Sequence, residues 1–280
     1  MTEGNPSSVS KRGELIAVCS AKGGVGRTTL TANLAVALFK KNIQVGVLDG
    51  DLQFGDISLA LDLHPTFTIK DVIEELDQID EHTLNSYLSR HDSGVKVLPP
   101  PERPEFAELV KVEDFMHISD TLVRMFDYLL VDTGVGLQDL TVEVAEKADQ
   151  ILLVTNLEMA TLKNTKLMLE TFRKIGLHEK VTIIVNRSNM ESVIQAKDVS
   201  DILGVNELLY VPNDFQVTSQ ALNLGIPFVV NQTKAEVSKA IYKMAEQLTS
   251  RRTITTFKPA QPSILSKLFS KKRPKEGVDE

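Results

Sequence analysis

A single cysteine, Cys19, stands in 280 residues, so no internal disulfide is possible and the fold must be held by its core. Cys19 falls in an apolar run and reads as a buried structural thiol rather than a nucleophile. No apolar stretch reaches the length of a membrane span. The first 14 residues are polar and carry no secretory pattern, so the expected location is the cytoplasm. Positive charge is not in surplus either. The formal net charge is −7, which argues against a protein that coats nucleic acid. No internal repeat is visible. What is present is ordinary for a soluble globular chain, 42% hydrophobic and 25% charged, with enough length to bury a sizeable core.

Short β-rich runs alternate with helical patterns from residue 14 onward. The strands expected are 15–20, 45–49, 95–98, 128–132, 151–155, 181–186 and 208–212. Helical spacing is seen at 28–41, 69–75, 81–89, 112–125, 140–147, 160–175, 191–203, 215–223 and 235–250. Continuous apolar strands separated by helices predict an α/β fold, a doubly wound and mostly parallel sheet with helices on both faces. Pro99, Pro100, Pro101 and Pro104 break the rhythm in 92–105, which reads as a surface loop. The expected organisation is a disordered lead (1–13), one nucleotide-binding domain (14–252), a linker (253–262) and an amphipathic basic tail (263–280).

Residues 20–29 read Ser-Ala-Lys-Gly-Gly-Val-Gly-Arg-Thr-Thr, between an expected strand and an expected helix. Gly23, Gly24 and Gly26 let the backbone pass close to oxygen atoms, and the N–H groups of Val25, Arg27, Thr28 and Thr29 gather at a helix start. That is the arrangement that holds nucleotide phosphates. Asp49-Gly-Asp51 closes the second strand and Asp132 closes the strand at 128–132, and ligands of open α/β sheets collect at such carboxyl ends. Magnesium prefers oxygen ligands and retains waters, so the Thr28 hydroxyl with a water-mediated Asp132 is a sensible metal cradle. Asp51 is placed to orient an attacking water, with Asp49 supporting the metal shell. One strand-end aspartate alone reads equally well as a turn or cap residue; three beside a glycine turn do not.

These residues carry a resemblance. Lys22-Gly-Gly-Val-Gly-Arg-Thr-Thr, Asn33-Leu-Ala, Asp49-Gly-Asp51, Asp132-Thr-Gly-Val-Gly136 and Asn186-Arg187 resemble the deviant Walker A P-loop NTPases of the MinD/ParA type, over about residues 14–250. Asp51-Leu-Gln-Phe-Gly-Asp56 and Ala148-Asp-Gln-Ile-Leu-Leu-Val-Thr155 are similar to the CpaE/TadZ branch, which serves pilus assembly. The resemblance implies ATP/ADP and Mg2+ as cofactors and an ATP-dependent sandwich homodimer in which Lys22 reaches the partner's nucleotide. It also implies that Asn186 and Arg187 frame the adenine, with Pro212, Asn213 and Asp214 opposite. By its residue type alone Asn186 reads equally as a cap at a strand end.

Three departures stand out. Arg27 replaces the family's phosphate-binding lysine; a guanidinium still neutralises phosphate charge but is planar and bulkier than an ammonium. ATP binding is therefore expected, with slow or absent hydrolysis. Gly134 stands where relatives often have proline, which loosens that loop. Only a short polar lead precedes the domain, where CpaE proteins commonly carry a receiver-like domain, and this keeps a MinD-like septum-site or flagellar-number role open.

In the tail, Ile264, Leu265, Leu268 and Phe269 follow helical spacing beside Lys267, Lys271, Lys272 and Arg273. Such a segment suits an anionic membrane surface, and two copies in a dimer would gain avidity of about 10²–10⁴; docking on its own domain or on a protein partner is the alternative. The leading expectation is a nucleotide-switched positioning protein, peripheral to the inner membrane face, that places a pilus, secretion or division machine. A hydrolysis-deficient scaffold is the alternative that Arg27 favours. A DNA-partitioning role is opposed by the charge, and an iron–sulfur role by one cysteine per chain, too few thiolates for a shared cluster.

Overall fold

The computed structural model describes residues 12–40 and 42–252. In chain order the elements are β1 (Glu14–Ser20), α1 (Arg27–Leu38), β2 (Val45–Gly50), α2 (Ile57–Ala60), α3 (Ile69–Glu74), α4 (Glu81–Tyr87), β3 (Ser89–Arg90), β4 (Lys96–Leu98) and α5 (Val112–Met125). They continue as β5 (Tyr128–Val135), α6 (Asp139–Lys147), β6 (Gln150–Thr155), α7 (Met159–Lys174), β7 (Val181–Asn186), α8 (Val199–Leu203), β8 (Leu208–Val211), α9 (Phe215–Leu224), α10 (Phe228–Asn231) and α11 (Glu236–Arg252).

Among the described residues the strands form one sheet in the order β3-β4-β2-β5-β1-β6-β7-β8, parallel except for the two-residue β3. Strand side chains alternate between two cores, which is what period-2 geometry demands of a sheet covered on both faces. Leu15, Ala17 and Cys19 join Leu129, Val131, Phe115 and Phe172 on one side. Ile16 and Val18 join Val47, Leu130, Leu34 and Ile241 on the other. The doubly wound α/β expectation holds. The order β2-β5-β1 makes the carboxyl ends of these three strands neighbours, and the register sets Asp49 directly beside Asp132. At the opposite end of the sheet Met244 and Leu248 of α11 share a cavity of about 430 Å³ with Thr182, Leu208 and Leu209 at the starts of β7 and β8.

Some local expectations need correction. The helix expected over 191–203 is a single tight turn (Ala196–Asp198) followed by the short α8. Asp198 accepts the N–H of Gln195, 3.0 Å away, and so caps the chain there, while the Ser192 hydroxyl is drawn to the Leu157 carbonyl at 3.1 Å. The proline segment is not all surface loop. Pro99 and Pro101 are buried, and the Pro99 carbonyl accepts the Ile69 N–H that opens α3. Residues 1–11 and 253–280, hence most of the lead and the whole linker and tail, lie outside the described residues.

Candidate functional site

The site grows from the turn between β1 and α1. Gly24 and Gly26 have φ of 75° and 89°, left-handed values that cost little only for glycine. Gly26 is also the N-cap of α1, which has no side-chain cap and no acidic residue in its first turn. The first N–H groups of a helix lack intrahelical partners, so α1 presents them, with the positive end of its dipole, to whatever occupies the glycine turn.

Behind the turn lies a buried charge cluster built on Arg27. Its guanidinium, 6% exposed, donates from Nε to Asp132 Oδ1 and from Nη2 to Asp51 Oδ2, both at 2.9 Å, with Ser20 Oγ 3.5 Å from Nη1. The sequence reading sends this side chain to phosphate oxygens; the structure turns it inward, onto the carboxylate expected to orient water and the one expected to hold magnesium. Asp132, fully buried, also receives the hydroxyl of Thr28 at Oδ2 (2.8 Å), and Thr31 Oγ1 lies 2.9 Å from its Oδ1. Asp49 is turned elsewhere: it accepts the N–H of Asp51 (3.1 Å) and of Ile57 (3.2 Å), and so holds the loop after β2 closed. A Cβ on Gly55 would come within 2.4 Å of that carboxylate, so the loop lies directly on it.

The electrostatics follow from this burial. Loss of solvent, then the charge of Asp132, push the Asp49 carboxyl well above the ordinary carboxylate range. Burial raises Asp132 too, with Arg27, Thr28 and Thr31 pulling the other way. Burial opposes the charge of Arg27, yet its two aspartates outweigh that and hold it above its ordinary value. Cys19 is buried beneath the site, its thiol pushed up to about 12 by loss of solvent, as a structural thiol should be.

Lys22 stands outside the cluster, half exposed, with its ammonium 3.7 Å from Glu158 at the entry to α7. Asn186 ends β7, and its carboxamide donates to the Val25 carbonyl at 2.8 Å. Arg187 follows in the left-handed region (φ 53°). The Asn213 N–H donates to Asn189, and Asp214 caps α9 through the Val217 N–H at 3.1 Å. The structure thus brings Arg27, Thr28, Asp51 and Asp132 into one cluster, with Asn186 on the glycine turn, and sets Lys22 apart from it. Thr31, Ser20 and Glu158 escaped the sequence reading. Thr31 was findable, because it lies one helical turn past Thr28 and Arg27 and shares their face.

The donor set fits a phosphate group with magnesium: left-handed glycines at an uncapped helix start, and a threonine hydroxyl hydrogen-bonded to a buried carboxylate. Among the described residues no group of three His, Cys, Asp or Glu side chains is arranged to hold a metal ion alone, so a metal there would need phosphate oxygens to complete its shell.

Comparison with known proteins agrees. The family model ParA, described as NUBPL iron-transfer P-loop NTPase, matches residues 11–249. The septum site-determining protein MinD of Thermotoga maritima is 27% identical over 251 residues, which cover 84% of this chain and 88% of that one. In three dimensions, MinD complexed with Mg-ADP from Pyrococcus horikoshii superposes with a TM-score of 0.73 at 27% identity, over 86% of this chain and 98% of that one. The ParA family ATPase of Chlorobium tepidum gives a TM-score of 0.79 at 23% identity, over 85% and 99%. The last likeness is one of fold.

Proposed function

Because this chain belongs to the ParA family of P-loop NTPases, we propose that it is a nucleotide-switched positioning protein that binds ATP with magnesium, dimerises in that state, and holds a larger machine at a membrane site. The observation that carries the reading is the convergence at the carboxyl ends of β1, β2 and β5. The glycine turn, the uncapped start of α1 and the Thr28–Asp132 pair meet there. In this reading the backbone N–H groups of residues 23–29 receive phosphate oxygens, and Arg187 with residues 212–214 borders the base. Thr28 and Asp132 would hold Mg2+, which neutralises phosphate charge when bound. The iron transfer in the family description has no thiolate set to work with here, since Cys19 is the chain's one cysteine and is buried.

Support for dimerisation comes from an apolar rim. Phe54, Val135, Leu137, Met159 and Phe215 are all exposed, and each sits at or within four residues of the carboxyl end of a strand, the end that carries the glycine turn. Scattered single apolar residues need no explanation, but several at one end of a sheet favour an interaction surface there. Lys22 lies on that same side and is half exposed, its ammonium 3.7 Å from Glu158 of its own chain, a solvent-facing pair that leaves it accessible to a partner.

Turnover is expected to be slow, since Arg27 engages Asp51, the residue expected to orient water. That contact also favours a second reading, a scaffold that binds nucleotide and works through its surfaces. The motif likeness to the CpaE/TadZ branch points to pilus assembly as the machine, and the MinD relatives to division; the basic amphipathic segment at 263–273 supports the membrane. Light scattering on the size-excluded protein with magnesium and ATP, against ADP, tests the switch. A dimer with ATP alone is expected, together with a melting-temperature rise of about 5–10 °C at ~100-fold ligand excess over Kd. A monomer in both states with no thermal shift would overturn it.

A further inference from the structure

Asn186 lies 161 residues from the glycine turn in sequence and touches it in space. Its Nδ2 donates to the Val25 carbonyl at 2.8 Å, and its Oδ1 accepts the N–H of Arg187 at 2.9 Å. Both ends of the carboxamide are engaged within the protein. The contact is closely built on each side. Gly26 has φ 89°, and a Cβ added there would sit 2.5 Å from Asn186 Nδ2, so the turn has no room for any other residue while the carboxamide is in place. Val25 is 2% exposed, so its carbonyl has little access to water, and a buried carbonyl without a donor is costly. On the far side, Arg187 takes a left-handed conformation, unusual without glycine. The Ser188 N–H then donates to the Val211 carbonyl at 3.0 Å, and Asn189 accepts the Asn213 N–H. Strain of this kind persists where the surroundings fix it, and it gathers at functional sites.

We propose that Asn186 is a positioning residue for the phosphate turn, a strut that ties the segment bordering the base to the loop that receives the triphosphate. This rests on the nucleotide reading of the site and assigns Asn186 a task within it other than recognition of adenine. The strut presets the Val25–Gly26 peptide, and with it the direction of the N–H groups that follow. Its effect on affinity is therefore independent of whether the ligand carries a base.

Two measurements on the full chain test this. Hydrogen exchange on the unliganded protein compares wild type, Asn186→Ala and Arg187→Ala. Faster exchange in peptides covering residues 21–29 is expected for Asn186→Ala and not for Arg187→Ala; unchanged exchange in Asn186→Ala overturns the proposal. Should the alanine variant fail to fold, Asn186→Asp, which keeps the acceptor for Arg187 and loses the donor to Val25, serves in its place. Titrations with magnesium ATP and with magnesium tripolyphosphate, which has no base, then compare ligands. Asn186→Ala should weaken both by the same factor, roughly tenfold, the loss of one hydrogen bond of about 1.4 kcal/mol. Loss for ATP alone would make Asn186 a base contact and overturn the strut. A wild type that binds neither ligand would instead refute the nucleotide reading, while the exchange result still judges the strut.

Discussion

Replacing Arg27 by lysine probes the feature that most distinguishes this site. The guanidinium makes two charge-assisted bonds of 2.9 Å, to Asp132 and Asp51, from a position only 6% exposed. Lysine keeps the charge but brings a single compact ammonium, which cannot reproduce the planar two-point geometry. Losing one charge-assisted bond there costs about 1.5–3 kcal/mol. At ~2–4 °C per kcal/mol for a domain of this size, Arg27→Lys should lower the melting temperature of the unliganded protein by roughly 3–12 °C. Arg27→Met, which leaves Asp132 buried without a cation, should cost more, about 3–5 kcal/mol. The same lysine should speed phosphate release by about tenfold or more, because it loosens Asp51 and returns a point charge to the turn. Thermal denaturation and a continuous phosphate-release assay on the same preparations read both effects. A melting temperature within about 1 °C of wild type would refute the claim that Arg27 holds the two carboxylates; lowered stability with unchanged turnover would refute the positioning argument alone.

Three further outcomes are expected. Cys19, with its thiol pushed up to about 12 by burial, should resist alkylation at mildly alkaline pH and react only as fast as the protein opens; rapid stoichiometric labelling of folded protein would contradict the burial. Asp49 is held well above the ordinary carboxylate range by burial and then by Asp132, so the folded chain binds that proton more tightly than the unfolded one. Its contribution to stability is then complete below the ordinary carboxylate pKa and is lost as pH rises toward the folded value. Asp49→Asn should flatten the fall in melting temperature above about pH 4, and an unaltered slope would dismiss the effect. A chain ending at Ala260 should pellet less with anionic liposomes than the full chain; equal pelleting would remove the membrane role of the tail.

The site was legible in sequence where its parts are local. The glycine turn, Thr28 and the strand-end aspartates sit in short continuous motifs whose backbone geometry is set by residue type. The strands were legible because fully buried parallel strands read as apolar runs. What was not legible depends on distant contacts. The destination of Arg27 is decided by Asp51 and Asp132, which lie 24 and 105 residues away, and by burial that only the assembled sheet creates. Glu158 faces Lys22 for the same reason. The two residues of β3 have too little pattern to register, and the four-residue α2 and α10 too few turns. The helix expected from residue 191 begins late because Asp198 competes for backbone donors, which periodicity alone does not weigh.

The cavity shared by α11 with the starts of β7 and β8 places the later turns of this helix, the last described element. These turns lie at the pole of the domain facing away from the glycine turn, roughly a strand length (about 20 Å) removed from it. In the dimer proposed above, two copies meeting at their nucleotide faces would carry these helix ends at the outer extremes of the pair. The 12 residues from Arg252 to Ile264 reach at most about 40 Å. Under the membrane reading proposed above, a flat sheet of lipid touched by both ends would have the pair lying along it, with the seam between the copies open to the side.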